Sequence, residues 1–371
     1  MKKLLGISII AAAACIALTG CASGCASCGK NSVSSTASLK SNWYEVPGYD
    51  GMQPPFLESA GSSEKATYSV TYDKSGAGNS NYSLAYENGV YTTEFTGKTM
   101  SLSLVHESYR EAFERAQTKD EKVRGLVLYY YKTTFTIDVT FDFGGDKSDT
   151  FTDTIETETY FRTTGQGMRP VWSRETVDVH SPAEQQPSSL ENTYRHVKRE
   201  TVTSYNLQNS RAVVQTVIDD GEPAERSYGV SSSAFDTNTI YLVARAMALS
   251  GGSSQGITLF YPMSGTSASY SVTGGSTKLE DAELTQILAV PAIDAAIPQP
   301  EEGDKSINYI SSRINLSSGS LTGTDQTVWF AKVPSAGKNE LRAAMLKINT
   351  VLPFGLGSLN YVLTDITFAN C

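Results

Sequence analysis

One run of nine residues, FTIDVTFDF from Phe135 to Phe143, alternates apolar and polar side chains without a break. Side chains of an extended strand point to opposite faces in turn. Phe135, Ile137, Val139, Phe141 and Phe143 therefore share one face, and Thr136, Asp138, Thr140 and Asp142 share the other. A helix would scatter the same residues around its axis, so the pattern restricts the segment to a half-buried strand. The rhythm recurs in YSVTYD, where Tyr68, Val70 and Tyr72 oppose Ser69, Thr71 and Asp73, and again in YSLAYE and VYTTEF. Further runs rich in β-branched and aromatic residues span 150–161, 171–179, 194–205, 211–218, 257–261, 269–273, 307–316, 327–333 and 359–368. Asn88-Gly89 lies between two such runs and predicts a hairpin turn, because both residues tolerate positive φ. Asp220-Gly221 is a second, weaker signal of the same kind. Long strands joined by tight turns make an antiparallel sheet.

Two segments change period. His106–Gln117 sets Tyr109, Ala112, Phe113 and Ala116 at helical spacing with charges opposite, and Asp236–Leu249 does the same with Ile240, Val243, Ala244 and Met247. Asp236 is placed to cap the second helix and Gly251 to end it. Arg245 is the only charge within that helix, so it should lie against a broad sheet face. The expected fold is mainly β: a large curved antiparallel sheet, half-barrel-like, with two or so helices packed on its concave face. Two short helices are too few to cover so many strands, and uncovered apolar surface attracts apolar partners at roughly 25 cal/mol per Å2. Ile240 and Met247, on the floor of such a groove, are the expected ligand contacts.

The amino terminus addresses a different question. Met1-Lys2-Lys3 is basic, Leu4 to Leu18 carries no charge, and small residues follow, which is the layout of a secretory signal too short to span a bilayer. Leu18-Thr19-Gly20-Cys21 resembles the lipobox of bacterial lipoproteins. That resemblance implies cleavage before Cys21 and attachment of a diacylglycerol to its thiol, whose thiolate is the nucleophile. It also implies a protein anchored by lipid to the cell membrane or outer membrane and facing the extracytoplasmic side. Ala22-Ser23-Gly24-Cys25 offers a second register with a poorer first position. Cys21, Cys25 and Cys28 have the spacing by which radical S-adenosylmethionine enzymes hold an iron–sulfur cluster, but here it falls at a signal cleavage point. Cys25-x-x-Cys28 lacks the βαβ context of a redox motif and reads as a passive pair, or as a disulfide outside the cytoplasm. Residues 1–20 are thus the signal, 21–63 the lipidated cysteine and a Ser/Gly/Asn/Pro-rich tether, and 64–371 a single β domain. Losing the signal removes two lysines and takes the formal charge from −9 to −11. That balance, without a basic block, argues against a nucleic-acid partner.

The order of elements resembles the half-barrel of the bacterial lipoprotein-carrier superfamily and related envelope domains. The resemblance runs through strands, the apolar helix DTNTIYLVARAMAL, and the closing segments TVWFAKVPSAGKNELRAAMLKI and LGSLNYVLTDI, over roughly residues 66–371. It implies non-enzymatic binding of something apolar and assigns no functional residue; the uncovered apolar surface makes an acyl chain, an acylated ligand or a partner's apolar segment the expected occupant.

Catalytic motifs fail on physical grounds. Gly252-Ser253-Ser254-Gln255-Gly256 matches the nucleophile elbow, but the helix precedes it and a strand follows, and His106, His180 and His196 all lie upstream. Asp142-Phe143-Gly144 copies a kinase tripeptide without its companions. His180 and His196, with Glu175 or Glu200, have the residue types for zinc, and Asp142, Asp146, Asp149 and Asp153 those for calcium. Neither set has the spacing of a known site, so no metal or cofactor is expected. A binding or scaffold protein is favoured. The alternative is an extracytoplasmic hydrolase-like enzyme whose site assembles only in three dimensions. Oligomeric state is not legible in the sequence.

Overall fold

The computed structural model describes residues 63–74, 83–117, 122, 125–142, 148–164, 167–182, 194–206, 209–249, 254–275, 287, 289–290, 309–316, 326–334, 341–351 and 357–369. The proposed signal, Cys21 and the tether lie outside the described residues.

The first half of the chain is a meander. Strands β1 (Ser63–Asp73), β2 (Ser83–Met100), β3 (Leu126–Asp142), β4 (Ser148–Thr164), β5 (Gly167–Pro182), β6 (Tyr194–Asn206), β7 (Arg211–Ile218) and β8 (Ala224–Gly229) each pair with the next, antiparallel. A two-residue strand β9 (Phe235–Asp236) then opens the second half, followed by β10 (Ser254–Tyr261), β11 (Thr266–Gly275), β12 (Tyr309–Leu316), β13 (Gln326–Pro334), β14 (Leu341–Val351) and β15 (Ser358–Ala369). These also pair in sequence, β9 parallel to β10 and the rest antiparallel. The halves are joined by β1 against β15, so one 15-stranded sheet results, with β8 and β9 at its two ends. The ladder is continuous where the chain's distant ends meet. It is interrupted in mid-chain.

Asn88-Gly89 does not turn the chain. β2 runs straight through it as a bulge between Glu87 and Val90, with Asn88 at φ 53° and its side chain donating to Asp138 at 2.9 Å. Gly89 faces Val70 so closely that a Cβ there would lie 2.6 Å from the Val70 carbonyl oxygen. The pair thus serves close strand approach and local twist. The hairpin signal at Asp220-Gly221 does mark a turn, but Asp219 and Asp220 carry the positive φ.

Two ten-residue α-helices among the described residues take opposite faces. Helix α2 (Ile240–Leu249) packs within the central apolar cluster, beside Tyr91, Tyr270, Phe330 and Ile348. Its Arg245 reaches Glu64 on β1 through two hydrogen bonds of 3.1 and 2.9 Å. Helix α1 (Glu107–Ala116) was expected on the same concave face, and its cluster corrects that. Tyr109 packs with Leu126, Leu128, Tyr130 and Trp172. The β3 residues in that set have the parity opposite to Tyr129, Tyr131 and Phe135, so they lie on the outer side of the sheet. An apolar patch on the outside needs its own cover, and α1 supplies it.

Candidate functional site

The expected groove at Ile240 is filled. Ile240 is 2% exposed and belongs to the central cluster, as do Tyr241, Leu242 and Val243 around it. In this structure Ile240 is core, packed on all sides, and no wall of an open groove. The Met247 side chain lies outside the described residues.

Among the described residues the concave face is open near the mid-chain interruption. Val214, Thr216 and Ile218 of β7 share a face, and Arg226 and Ala224 of β8 sit directly opposite the first two. With Tyr228, Glu222 and Met263 they line a cavity of about 210 Å3. Ile218 is 49% exposed, which is unusual for so large an apolar side chain on a concave face. Beside this cavity, β8 pairs only with β7 among the described residues. Its outer edge therefore presents backbone donors and acceptors without a ladder partner.

The two ends of the sheet do approach one another, through side chains. Tyr205, Ala212 and Val214 pack with Phe260 of β10, and the Tyr228 ring lies over Gly265 in the β10–β11 turn. Gly265 combines φ 65° with a space that a Cβ would overfill. Behind these apolar contacts is a buried polar clasp. The Tyr205 hydroxyl donates to the Asp236 carboxylate, which also accepts from the Asn238 backbone N–H at 2.8 Å. Burial, and then the facing Asp236, push the Tyr205 hydroxyl well above its ordinary range, and burial likewise raises Asp236. Arg199 donates to Glu175 at 2.5 Å, both side chains nearly enclosed. Thr201, Thr203, Asn238, Ser173 and Glu175 line a cavity of about 20 Å3, closed by the Tyr261–Ser264 turn. That is the size of a single-water site. Thr201 Oγ1, Thr203 Oγ1 and Asn238 Oδ1 accept from or donate to no described protein group there, as befits groups around a water-sized space. Thr201 lies opposite Thr216 in the ladder and Met263 lines both cavities, so the polar and apolar pockets are neighbours on one face.

No protein-family model and no curated protein matches this chain. Among solved structures it is similar to a β-barrel-like protein of the domain of unknown function DUF1849 from Brucella abortus. The identity is 13% and the TM-score 0.40, over 84% of this chain and 99% of that one.

Residues singled out for metals have other partners. His180 and His196 are cross-strand neighbours whose rings stack at 4.4 Å. Their nitrogens face carboxylates instead of each other: His180 Nδ1 lies 2.8 Å from Asp153 and His196 Nε2 lies 2.6 Å from Asp178. Burial holds His180 below the ordinary histidine range and pushes Asp153 up to about 8. Glu175 and Glu200 are engaged by Arg199 and Arg174. Among the described residues no three such ligands gather for a metal. The clasp escaped the sequence reading because Tyr205, Thr201 and Glu175 sit at regular strand positions. Asp236 was noticed only as a cap, which it also is.

His106 has the most elaborate surroundings outside the seam. Its Nδ1 accepts from Ser108, Oγ at 2.7 Å and backbone N at 3.3 Å, which leaves the proton on Nε2, 3.2 Å from Glu225. A polar cavity of about 260 Å3 lies beside it, between α1 and the outer face of β6–β8.

Proposed function

We propose that this is a lipid-anchored extracytoplasmic binding protein that captures an extended segment of a partner polypeptide at the open seam of its sheet. The observation that carries the reading is the β8 edge, without a ladder partner among the described residues, lying near the exposed Ile218 of β7. A free ladder edge selects polypeptide over an acyl chain, because only a peptide backbone satisfies its donors and acceptors. Alternate side chains of the added strand would then fall beside Ala224, Arg226 and Tyr228 of β8, with the exposed Ile218 of β7 one strand further in. Lipidation at Cys21 is part of the same proposal, supported by the lipobox-like sequence. No helix among the described residues is long and apolar enough to cross a membrane.

Fluorescent peptides that alternate Val and Thr test the docking. Binding to residues 29–371 should saturate, and Ile218→Asp should weaken it at least about tenfold, since it sets a carboxylate against the strand's apolar face. No binding by the wild type would overturn the reading. The anchor has a separate test: Cys21→Ser should move the protein out of the detergent phase, and retention there would refute a thioether lipid.

One observation favours a second reading. Ser108, His106 and Glu225 form a hydroxyl–imidazole–carboxylate relay, the groups that serine hydrolases use, with the two ring nitrogens exchanged. A fluorophosphonate that labels Ser108 would favour a hydrolase. Labelling equal in the Ser108→Ala variant, or absent, leaves the relay as a helix cap.

A further inference from the structure

Asp153 shares the inward face of β4 with Ile155 and Phe151, and it stands directly across from Ile137 of β3. It is fully enclosed. Both hydrogen bonds that it receives come from His180 and reach the same oxygen: the backbone N–H donates to Oδ1 at 2.9 Å, and Nδ1 lies 2.8 Å from it. The second oxygen, Oδ2, is buried without a partner. An ionised carboxylate accepts at both oxygens, so enclosing one with an oxygen bare is strongly unfavourable. A neutral acid carries its proton on that oxygen and leaves Oδ1 free to accept.

Apart from His180, no described side chain nearby offers Asp153 a counter-charge. On β6, His196 stacks on the His180 ring at 4.4 Å and turns Nε2 to Asp178, an anion of β5. Lys198, across the ladder from Asp178, donates to Asp220 at 2.7 Å. On β3, Asp138 is on the other face and accepts from Asn88 and Thr152. Phe151 stacks on His180 at 3.8 Å, and the Tyr194 ring lies 5.8 Å away. We infer that Asp153 is carried as the neutral acid, and that its proton locks the end of the β5–β6 ladder where His180 pairs with His196 and Pro182 with Tyr194, releasing it as the surroundings turn alkaline. Once the proton leaves, the bare carboxylate reaches water only if His180 moves away, and the backbone N–H that anchors the strand goes with it. Burial pushes Asp153 up to about 8, the direction that the bare oxygen requires. Its contribution is therefore complete in acid and lost as pH rises through that value. His180 acts in the opposite sense: burial, then His196, hold it below the ordinary histidine range, so its contribution is lost only as pH falls through the lowered value. Above about pH 6.5 the decline belongs mostly to Asp153.

Amide hydrogen exchange of β5 and β6 in the intact protein, corrected for the intrinsic rate, reads the lock. Protection at the His180–His196 end should fall about tenfold between roughly pH 6.5 and 8.5, as release of one proton requires. Amides of the β1–β15 junction serve as the reference, and an equal fall there would overturn a local lock. Asp153→Asn has the shape of the neutral acid and no proton to lose, so its protection should change by no more than about twofold over the same range. A flat wild-type profile, or a decline that Asp153→Asn retains, would overturn the inference. If Asp153→Asn does not fold, the His180 ring decides. Its nitrogen chemical shifts at neutral pH should be those of a neutral imidazole. An imidazolium there would mean that Asp153 is ionised, and would overturn the inference.

Discussion

The sheet meets itself twice, and the two meetings are built from different materials. At the β1–β15 junction an eleven-residue strand pairs along its whole length, from Ser63 against Ala369 to Asp73 against Ser358. Tyr68, Tyr91 and Tyr361 are fully enclosed beneath it, and α2 fills the space behind. At the β8–β9 end the described residues form no such ladder. Closure there depends on Phe260 against Tyr205 and Tyr228, on a buried clasp of Asp236, Tyr205, Glu175 and Arg199, and on a two-residue strand. Apolar burial with a complete ladder gives a junction that loses stability only by unfolding. A polar clasp beside an edge without a ladder partner among the described residues gives one held by side chains alone. The comparison teaches that the strand-docking proposal concerns the seam, and not the core, because the described surface stays open there.

The largest effect should come from the closed junction. Tyr361→Ala removes a ring that sits 5.4 Å from Tyr91 and 6.0 Å from Phe135, and should cost about 3–5 kcal/mol in urea unfolding, as aromatic truncations in cores do. A loss below about 1 kcal/mol would mean that the junction is no stronger than the seam.

Next comes the ion pair that ties α2 to β1. Arg245→Ala should destabilise by about 3 kcal/mol, because it leaves the Glu64 carboxylate enclosed without its partner. The double variant Glu64→Leu/Arg245→Met should recover most of that. No recovery would show that the pair contributes more than mutual neutralisation.

Smaller effects are expected at the seam. Tyr205→Phe should cost about 1–3 kcal/mol by leaving Asp236 short of a donor. Burial raises the Asp236 carboxyl above its ordinary range, so its contribution is complete at low pH and is lost as pH rises through the raised value. Asp236→Asn should accordingly flatten part of the decline in stability that sets in as pH rises above the ordinary carboxylate range. An unchanged pH profile would mean the carboxyl is ionised in the folded protein. Smallest of all, Ile218→Thr should change stability by no more than about 0.5 kcal/mol, as befits an exposed position. A large loss there would place Ile218 in the core and remove the open face.

Much of the secondary structure was legible in the sequence, because a strand's period is a local property. FTIDVTFDF alternates in β3 as read, and Asp236 caps the turn that leads into α2. The single charge of α2 correctly announced a buried helix, and Arg245 is indeed enclosed. Local pattern does not say what a face will meet. The amphipathic stripe of α1 was real, yet its apolar side covers the outside of the sheet, since Leu126, Leu128 and Tyr130 create an apolar patch there. Asn88-Gly89 carried the dihedral freedom of a turn, and the pairing of β2 with both neighbours used it for a bulge.

The sequence by itself determined a mainly β antiparallel fold with one apolar helix inside it, and it suggested a lipid anchor at Cys21. Only the tertiary structure decided where the sheet closes and where it stays open. That choice depends on Ser63 meeting Ala369 and on Tyr205 meeting Asp236 and Phe260, contacts between residues distant in the chain. No periodicity encodes them, because each partner looks like an ordinary strand residue until the sheet has curled enough to bring its ends together.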